Sequence, residues 1–272
     1  MPRKSDEEKI ASGLFGLARR HPVGCGCLAG LALLVALVFG AIYLVRMLRQ
    51  PSKDAPPATT MTTTAGAGLP DMPAKPRPRN ESFRGCPPEG DGGDPELNRL
   101  KNRVDEGNYV PVAFDAILNL PWPRAAEGRN RARWRREDAE QVARWEGLPV
   151  AVEGYIAKAR LQGPETPNCH GADQEFKDYH VWLTKTAGEE RERSIVVEPT
   201  PPVRAKHPAW TLDNLNRARQ QNARVRISGW LLLDPEHPDQ IGKTRGTIWE
   251  IHPVMKIEVQ QGGRWVNLDD WR

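Results

Sequence analysis

Cysteine is scarce in this 272-residue chain: four in all, with no CxxC and no Cys/His pair at zinc-finger spacing. That excludes the common structural zinc modules, whose ligands recur at short fixed intervals. Cys169 and His170 are adjacent, which is not a chelating spacing. The EF-hand spacing is absent around Asp91 and Asp94, so a calcium loop of that kind is excluded. A basic field is missing as well. The whole chain carries +4, but residues 81–272 hold 28 Lys and Arg against 30 Asp and Glu, a balance of about −2. Dedicated nucleic-acid binders carry their excess of positive charge on the folded domain. Here the excess belongs to the first 80 residues. The one basic run beyond them, RNRARWRR at 129–136, reads as the solvated start of a helix rather than as a nucleic-acid patch.

Charge is absent altogether from residues 23–45, VGCGCLAGLALLVALVFGAIYLV. A bilayer core is spanned by roughly 20 apolar residues at the helical rise, so this stretch is expected to be a transmembrane helix. A cleaved secretory signal has a shorter apolar core, about 7–15 residues. Ala65-Gly66-Ala67 lies too far downstream to be its cleavage site, and Cys25 and Cys27 lack the lipoprotein pattern. Arg3, Lys4, Lys9, Arg19 and Arg20 precede the stretch, whereas Arg46, Arg49 and Lys53 follow it. Lys and Arg favour the cytoplasmic side, which orients the N-terminus inward and the rest of the chain outward. Gly26 and Gly30 form a GxxxG spacing that would let two such helices approach closely and self-associate.

The expected organisation is a cytoplasmic segment 1–22, the transmembrane helix 23–45, a linker 46–80, a helical extension 81–146 and a β domain 147–272. The linker is rich in Pro, Thr and Ala and has no apolar periodicity, so it cannot bury a core. Two cysteines remain beyond it, Cys86 and Cys169. In an exported domain they are expected to form one disulfide.

In the extension, Asp94-Pro95-Glu96 has the composition of a helix start: a capping Asp, Pro at the first position and Glu in the first turn. That helix is expected to run to about Glu106. A second is expected over about 135–145, with Trp134, Val142 and Trp145 as its apolar stripe. From Leu148 the apolar period changes to two. Strands are expected over 148–157, 179–183, 194–198, 225–233 and 247–260, the last broken at Pro253. A helix is expected over 207–221, between the third and fourth strands.

Three strands, a helix and two strands is the element order of the oligonucleotide/oligosaccharide-binding (OB) fold, a five-stranded partly open barrel. The residues Val152-Glu153-Gly154-Tyr155, Asp178-Tyr179-His180-Val181-Trp182-Leu183 and Val225-Arg226-Ile227-Ser228-Gly229-Trp230-Leu231 carry a closer likeness. With Asp234-Pro235-Glu236-His237 and Trp249-Glu250-Ile251-His252-Pro253-Val254, they resemble a group of uncharacterised bacterial OB-fold domains behind a membrane anchor. The resemblance covers the C-terminal half. It implies a mostly β fold with helices, a five-stranded OB-like barrel, and no activity. The Asp/Arg/Glu signature of the staphylococcal-nuclease-like barrels is not recognisable.

All five histidines beyond the anchor lie in this half: His170, His180, His207, His237 and His252. His180 and His252 alternate with apolar residues along their strands. If both face outward they can converge with Glu198 or Glu250 on a metal or a phosphate. Without convergence they are hydrogen-bonding anchors, His252 at the strand break and His237 in the turn. Trp182 and Trp230 fall on the more polar register of their strands, where an OB sheet stacks bases or sugars. Their alternative role is packing. Trp182, Trp230, His180, His252 and Glu198 are therefore the candidate ligand-binding set. No cofactor and no stoichiometric transition metal are expected, because no local spacing chelates. The leading reading is a membrane-tethered binding module of the cell envelope. A metal-dependent hydrolase or nuclease using the histidines, and a structural component of an envelope complex that contacts its partner through 81–146, are the alternatives. Protein, nucleic acid and saccharide all stay open as ligands.

Overall fold

The computed structural model describes residues 68–128 and 130–272. The expected transmembrane stretch 23–45 and its Gly26/Gly30 spacing lie outside them. Among the described residues no helix is long and apolar enough to cross a membrane. The described extension and the β domain belong to one compact unit.

Seven strands and five α-helices build this unit. The strands are β1 (Val110–Val112), β2 (Pro149–Leu161), β3 (Tyr179–Thr184), β4 (Ile195–Val197), β5 (Arg224–Leu233), β6 (Trp249–Gln261) and β7 (Arg264–Asn267). The helices are α1 (Pro95–Lys101), α2 (Phe114–Leu118), α3 (Arg136–Ala143), α4 (Pro201–Arg204) and α5 (Leu212–Gln220). Pairing runs β2-β3-β4-β6-β5 and returns from β5 to β2, which closes a five-stranded barrel. All pairs are antiparallel except β4 with β6. With α4 and α5 between β4 and β5, this is an OB-like arrangement. Two strands were not legible: β1 adds to β2 in parallel, and β7 folds back on β6.

The barrel core is the apolar half of each alternation. Val150, Val152, Val181, Leu183, Ile195, Val197, Val225, Ile227, Ile251 and Ile257 are all buried in it. Two glycines mark where the sheet comes too close for a side chain. A Cβ on Gly154 would stand 2.5 Å from the Thr184 carbonyl, and one on Gly229 would stand 2.3 Å from the Pro253 carbonyl. The bulge in β2 itself falls two residues later than Gly154, between Ile156 and Lys158. Pro253 does not break β6. The strand continues through it, and the missing amide is absorbed where the β5–β6 register shifts around Gly229.

Helix ends differ from expectation for local reasons. Asp94 caps α1 as anticipated, accepting from the Glu96 and Leu97 amides at 3.1 and 3.3 Å. The helix stops at Lys101 rather than near Glu106. Asn102 turns its side-chain amide to the carbonyls of Pro88 and Pro167, and the Val104 amide bonds the Arg79 carbonyl. These long-range bonds outweigh one further helical turn. The helix expected over 207–221 begins at Leu212, because Thr211 caps it by accepting from the Asn214 amide.

Candidate functional site: a buried polar row on the outer barrel face

The side chains opposite the barrel core on β3, β4 and β6 form a row fixed by register. Val181 pairs with Val197, and Val197 pairs with Ile251. The next positions, His180, Glu198 and His252, therefore fall side by side on the other face. Glu198 lies between the two imidazoles: Oε1 is 3.3 Å from His180 Nδ1 and Oε2 is 3.3 Å from His252 Nδ1. Glu250 Oε2 stands 3.6 Å from His252 Nδ1, and Asp178 Oδ2 stands 4.0 Å from His252 Nε2. Period two along the strands puts His180 and His252 on the face opposite the apolar set, with Glu198 as a candidate partner, and the register brings the three together. The same parity runs through Asp178, His180 and Trp182, so Asp178 was legible on that face and was missed.

That outer face is not open. The helix α1 packs on β6 and on the turn 166–168, and the extension is tied to this turn by the Cys86–Cys169 disulfide. Asn98, Asn102 and Thr166 knit the same contact through hydrogen bonds. Asp178, Glu198, Glu250 and His252 are all buried, with His252 1% exposed. Arg245 enters from the 234–248 loop, bonding Glu250 at 2.7 Å and Asp234 at 3.1 Å. Asp234 also meets His237 at 2.6 Å. Lys101 of α1 is buried nearby and reaches Glu236 at 3.6 Å. The loops flanking the barrel's strands and the extension thus enclose one polar network.

Burial sets its protonation. Asp178 is pushed up to about 7 by desolvation and by the Glu165 charge, against which Lys101 pulls. Glu250 is pushed up to about 7 by desolvation and Asp234, and Glu198 is raised well above the usual carboxylate range by desolvation and Glu250. Desolvation, aided by Arg245, lowers His180 to about 2. Desolvation and Lys101 lower His252 to about 3, so both rings are neutral. Asp234 moves the other way. Burial alone would raise it, but the His237 hydrogen bond and the charges of Lys101 and Arg245 outweigh that and hold it ionised.

Several buried polar atoms lack a hydrogen bond. Both ring nitrogens of His252 are among them, with His180 Nε2 and two guanidinium nitrogens of Arg245. The 3.3 Å approach of Glu198 to His252 has a hydrogen-bond length without a hydrogen-bond direction. Buried polar groups in folded proteins are normally paired, so an imidazole with two bare nitrogens calls for an explanation. His180 by contrast meets Gln162 through Nδ1.

The two candidate tryptophans do not present stacking faces. Trp182 and Trp230 are each 1% exposed. Trp182 is stacked on His180 at 4.2 Å between ring centres, and Arg160 and Arg191 lie over it at 5.1 and 4.9 Å. Trp230 carries the Arg103 guanidinium at 3.5 Å and meets Tyr109 edge-on, while its Nε1–H donates to the Asp105 carbonyl. Both rings are on the polar register, as expected. The extension and neighbouring cationic side chains occupy the space a ligand would need. His170 and His207 lie outside the row, bonded to the Asp91 carbonyl and to Asp269. The basic run also has an internal use: Arg131 is buried and forks onto Glu146 at 2.7 and 2.6 Å.

Comparison of the chain with protein-family models, curated proteins and solved structures finds no match.

Proposed function

We propose that this protein is a membrane-tethered OB-like module of the cell envelope that works as a rigid structural and protein-contact component. One observation carries the reading. The barrel face between the 162–178 and 234–248 loops, where OB barrels take oligonucleotides and saccharides, is filled by the chain's own extension and closed by the Cys86–Cys169 bridge. The surface left for a partner is the outside of that cover and of the barrel. A hydrolase built on His180 and His252 is disfavoured by the same burial, since a substrate needs access to the reacting groups. The envelope assignment is supported by the uncharged stretch 23–45, by the Lys and Arg that precede it, and by two paired cysteines in an otherwise cysteine-poor domain.

Two measurements test this. A periplasm-dependent reporter fused after residue 80 is expected to be active, and a cytoplasmic signal from that fusion would overturn the envelope placement. The full chain in detergent, titrated with single-stranded oligonucleotides and with envelope oligosaccharides, is expected to show no change in tryptophan emission and no heat. Saturable binding abolished by Trp182→Ala, in a variant that keeps its fold, would restore the open-face reading.

A further inference from the structure

Three residues distant in sequence bring metal-ligating atoms together inside the covered face. One ligand atom from each of Asp178, Glu198 and His252 lies within 4.8 Å of the other two, and all three residues are buried. We propose that Asp178, Glu198 and His252 form a structural site for one divalent transition-metal ion of the zinc class. This goes beyond the contact function proposed above and stands or falls independently of it.

The acidic cluster alone would not carry the inference. His252 supplies the second observation, because both of its nitrogens are buried and neither has a hydrogen-bond partner. An imidazole in that position has an empty lone pair direction that a cation satisfies and that no protein group does. The surroundings are those of a held ligand set. Glu198 offers one oxygen towards His252 while its other oxygen faces His180 Nδ1 at 3.3 Å. Asp178 accepts from the Asn168 amide at 3.2 Å through Oδ1, which leaves Oδ2 as the oxygen nearest His252. An outer donor such as Asn168 orients its ligand and raises affinity. Two carboxylates balance the charge of a divalent ion in a medium where unbalanced charge is costly. Imidazole together with few protein donors favours zinc and its neighbours over calcium or magnesium, which take six or more oxygens or keep most of their water. Glu250 and His180 border the set and complete its polar wall. Enclosure points to a structural ion rather than a catalytic one, since catalytic ions keep a position open to substrate.

The expectation of a metal-free domain rested on spacing along the chain. Asp178, Glu198 and His252 are 20 and 54 residues apart, and only the β3–β4–β6 register unites them.

The test uses the full chain in detergent, stripped with a chelator and then reloaded with Zn²⁺ or Co²⁺ alone. Uptake of about one ion per chain is expected, with a higher thermal midpoint and a Co²⁺ absorption spectrum of low coordination number. His252→Ala and Glu198→Gln are expected to take up none, and His207→Ala to load as wild type. Asn168→Ala, which leaves all ligands in place, is expected to weaken uptake by about 10–100-fold. Folded wild-type protein that takes up less than a tenth of an equivalent would refute the site, whatever the variants do. So would full loading of a folded His252→Ala protein. If that variant does not fold, the wild-type stoichiometry and the Asn168→Ala shift decide the matter.

Discussion

The two faces of β3, β4 and β6 are made by the same strands and solve burial in opposite ways. Inward, Val181, Leu183, Ile195, Val197, Ile251 and Val254 fill the barrel with hydrocarbon. Outward, His180, Trp182, Glu198, Glu250 and His252 are buried to the same degree by a cover drawn from elsewhere in the chain. The inner face is stabilised by non-directional packing, at about 25 cal/mol per Å² removed from water. The outer face gains little from transfer and depends on each polar atom finding its partner. One face therefore tolerates exchange among apolar residues of similar volume. The other tolerates almost no single change, yet can tolerate a coordinated one.

Arg245 gives the largest test of that difference. It is fully buried between Asp234 and Glu250. Arg245→Met removes the buried cation that bridges Asp234 and Glu250, leaving Glu250 without its hydrogen-bonded partner, and is expected to cost about 3–5 kcal/mol. Adding Asp234→Asn and Glu250→Gln to it should return a large part of that loss, because the uncompensated charge is gone. On the inner face, Leu183→Ala is expected to cost about 2–5 kcal/mol through its cavity, and no change of charge nearby restores it. Denaturant midpoints of the four proteins, wild type included, with slopes compared, decide this. A triple variant no more stable than Arg245→Met alone would show that the outer row is held by packing after all.

How far each face was legible follows from the same contrast. Alternation in Val150-Val152 and Val181-Leu183 announced the core, and the helix between the third and fourth strands announced the closure of the barrel. The outer row needed lateral register, which residues in one strand do not encode. His180, Glu198 and His252 could be named as candidates by parity, but not brought to 3.3 Å of each other. The tryptophans illustrate the limit better. Polar parity placed Trp182 and Trp230 on the outer register, and exposure did not follow, because the covering groups come from elsewhere in the chain: Arg160 and Arg191 over Trp182, Arg103 and Tyr109 over Trp230. No periodicity within β3 or β5 reports on them. Lys101 completes the network from the last turn of α1, and Asp178 from the residue before β3.

The disulfide sharpens the comparison at the next level. Cys86 and Cys169 are 83 residues apart. Loop-closure entropy for a bridge of that length corresponds to about 4.5 kcal/mol, and measured values are typically about 2–4. Cys86→Ser with Cys169→Ser is expected to lower stability by that range and to loosen the cover before the barrel. Limited proteolysis should then cut within 81–105 while hydrogen exchange in β2 and β5 stays slow. Simultaneous loss of protection in the cover and in the barrel strands would mean that the two faces do not unfold separately.

The smallest effect belongs to the rim of the network, where His237 meets Asp234 while its side chain is 41% exposed. The Asp234 hydrogen bond raises His237 above its ordinary value, although burial opposes it; the Asp234 and Glu250 charges add to the rise and Arg245 subtracts from it. A group whose folded-state value is raised stabilises the fold fully below its unfolded value, near 6.5, and loses that contribution as pH rises through the folded value. Asp234 stays ionised throughout that window, so the change is that of His237 alone within the pair. Partial exposure keeps the contribution small, below about 1 kcal/mol. The difference in thermal midpoint between wild type and His237→Asn is therefore expected to be largest near pH 6 and to shrink towards pH 8. Taking the difference removes the titration of Asp178, which is common to both proteins; Glu250 feels the His237 charge, so its response belongs to the difference. A difference that stays constant across this range would assign His237 to packing and confine the charge-dependent part of the network to its buried row.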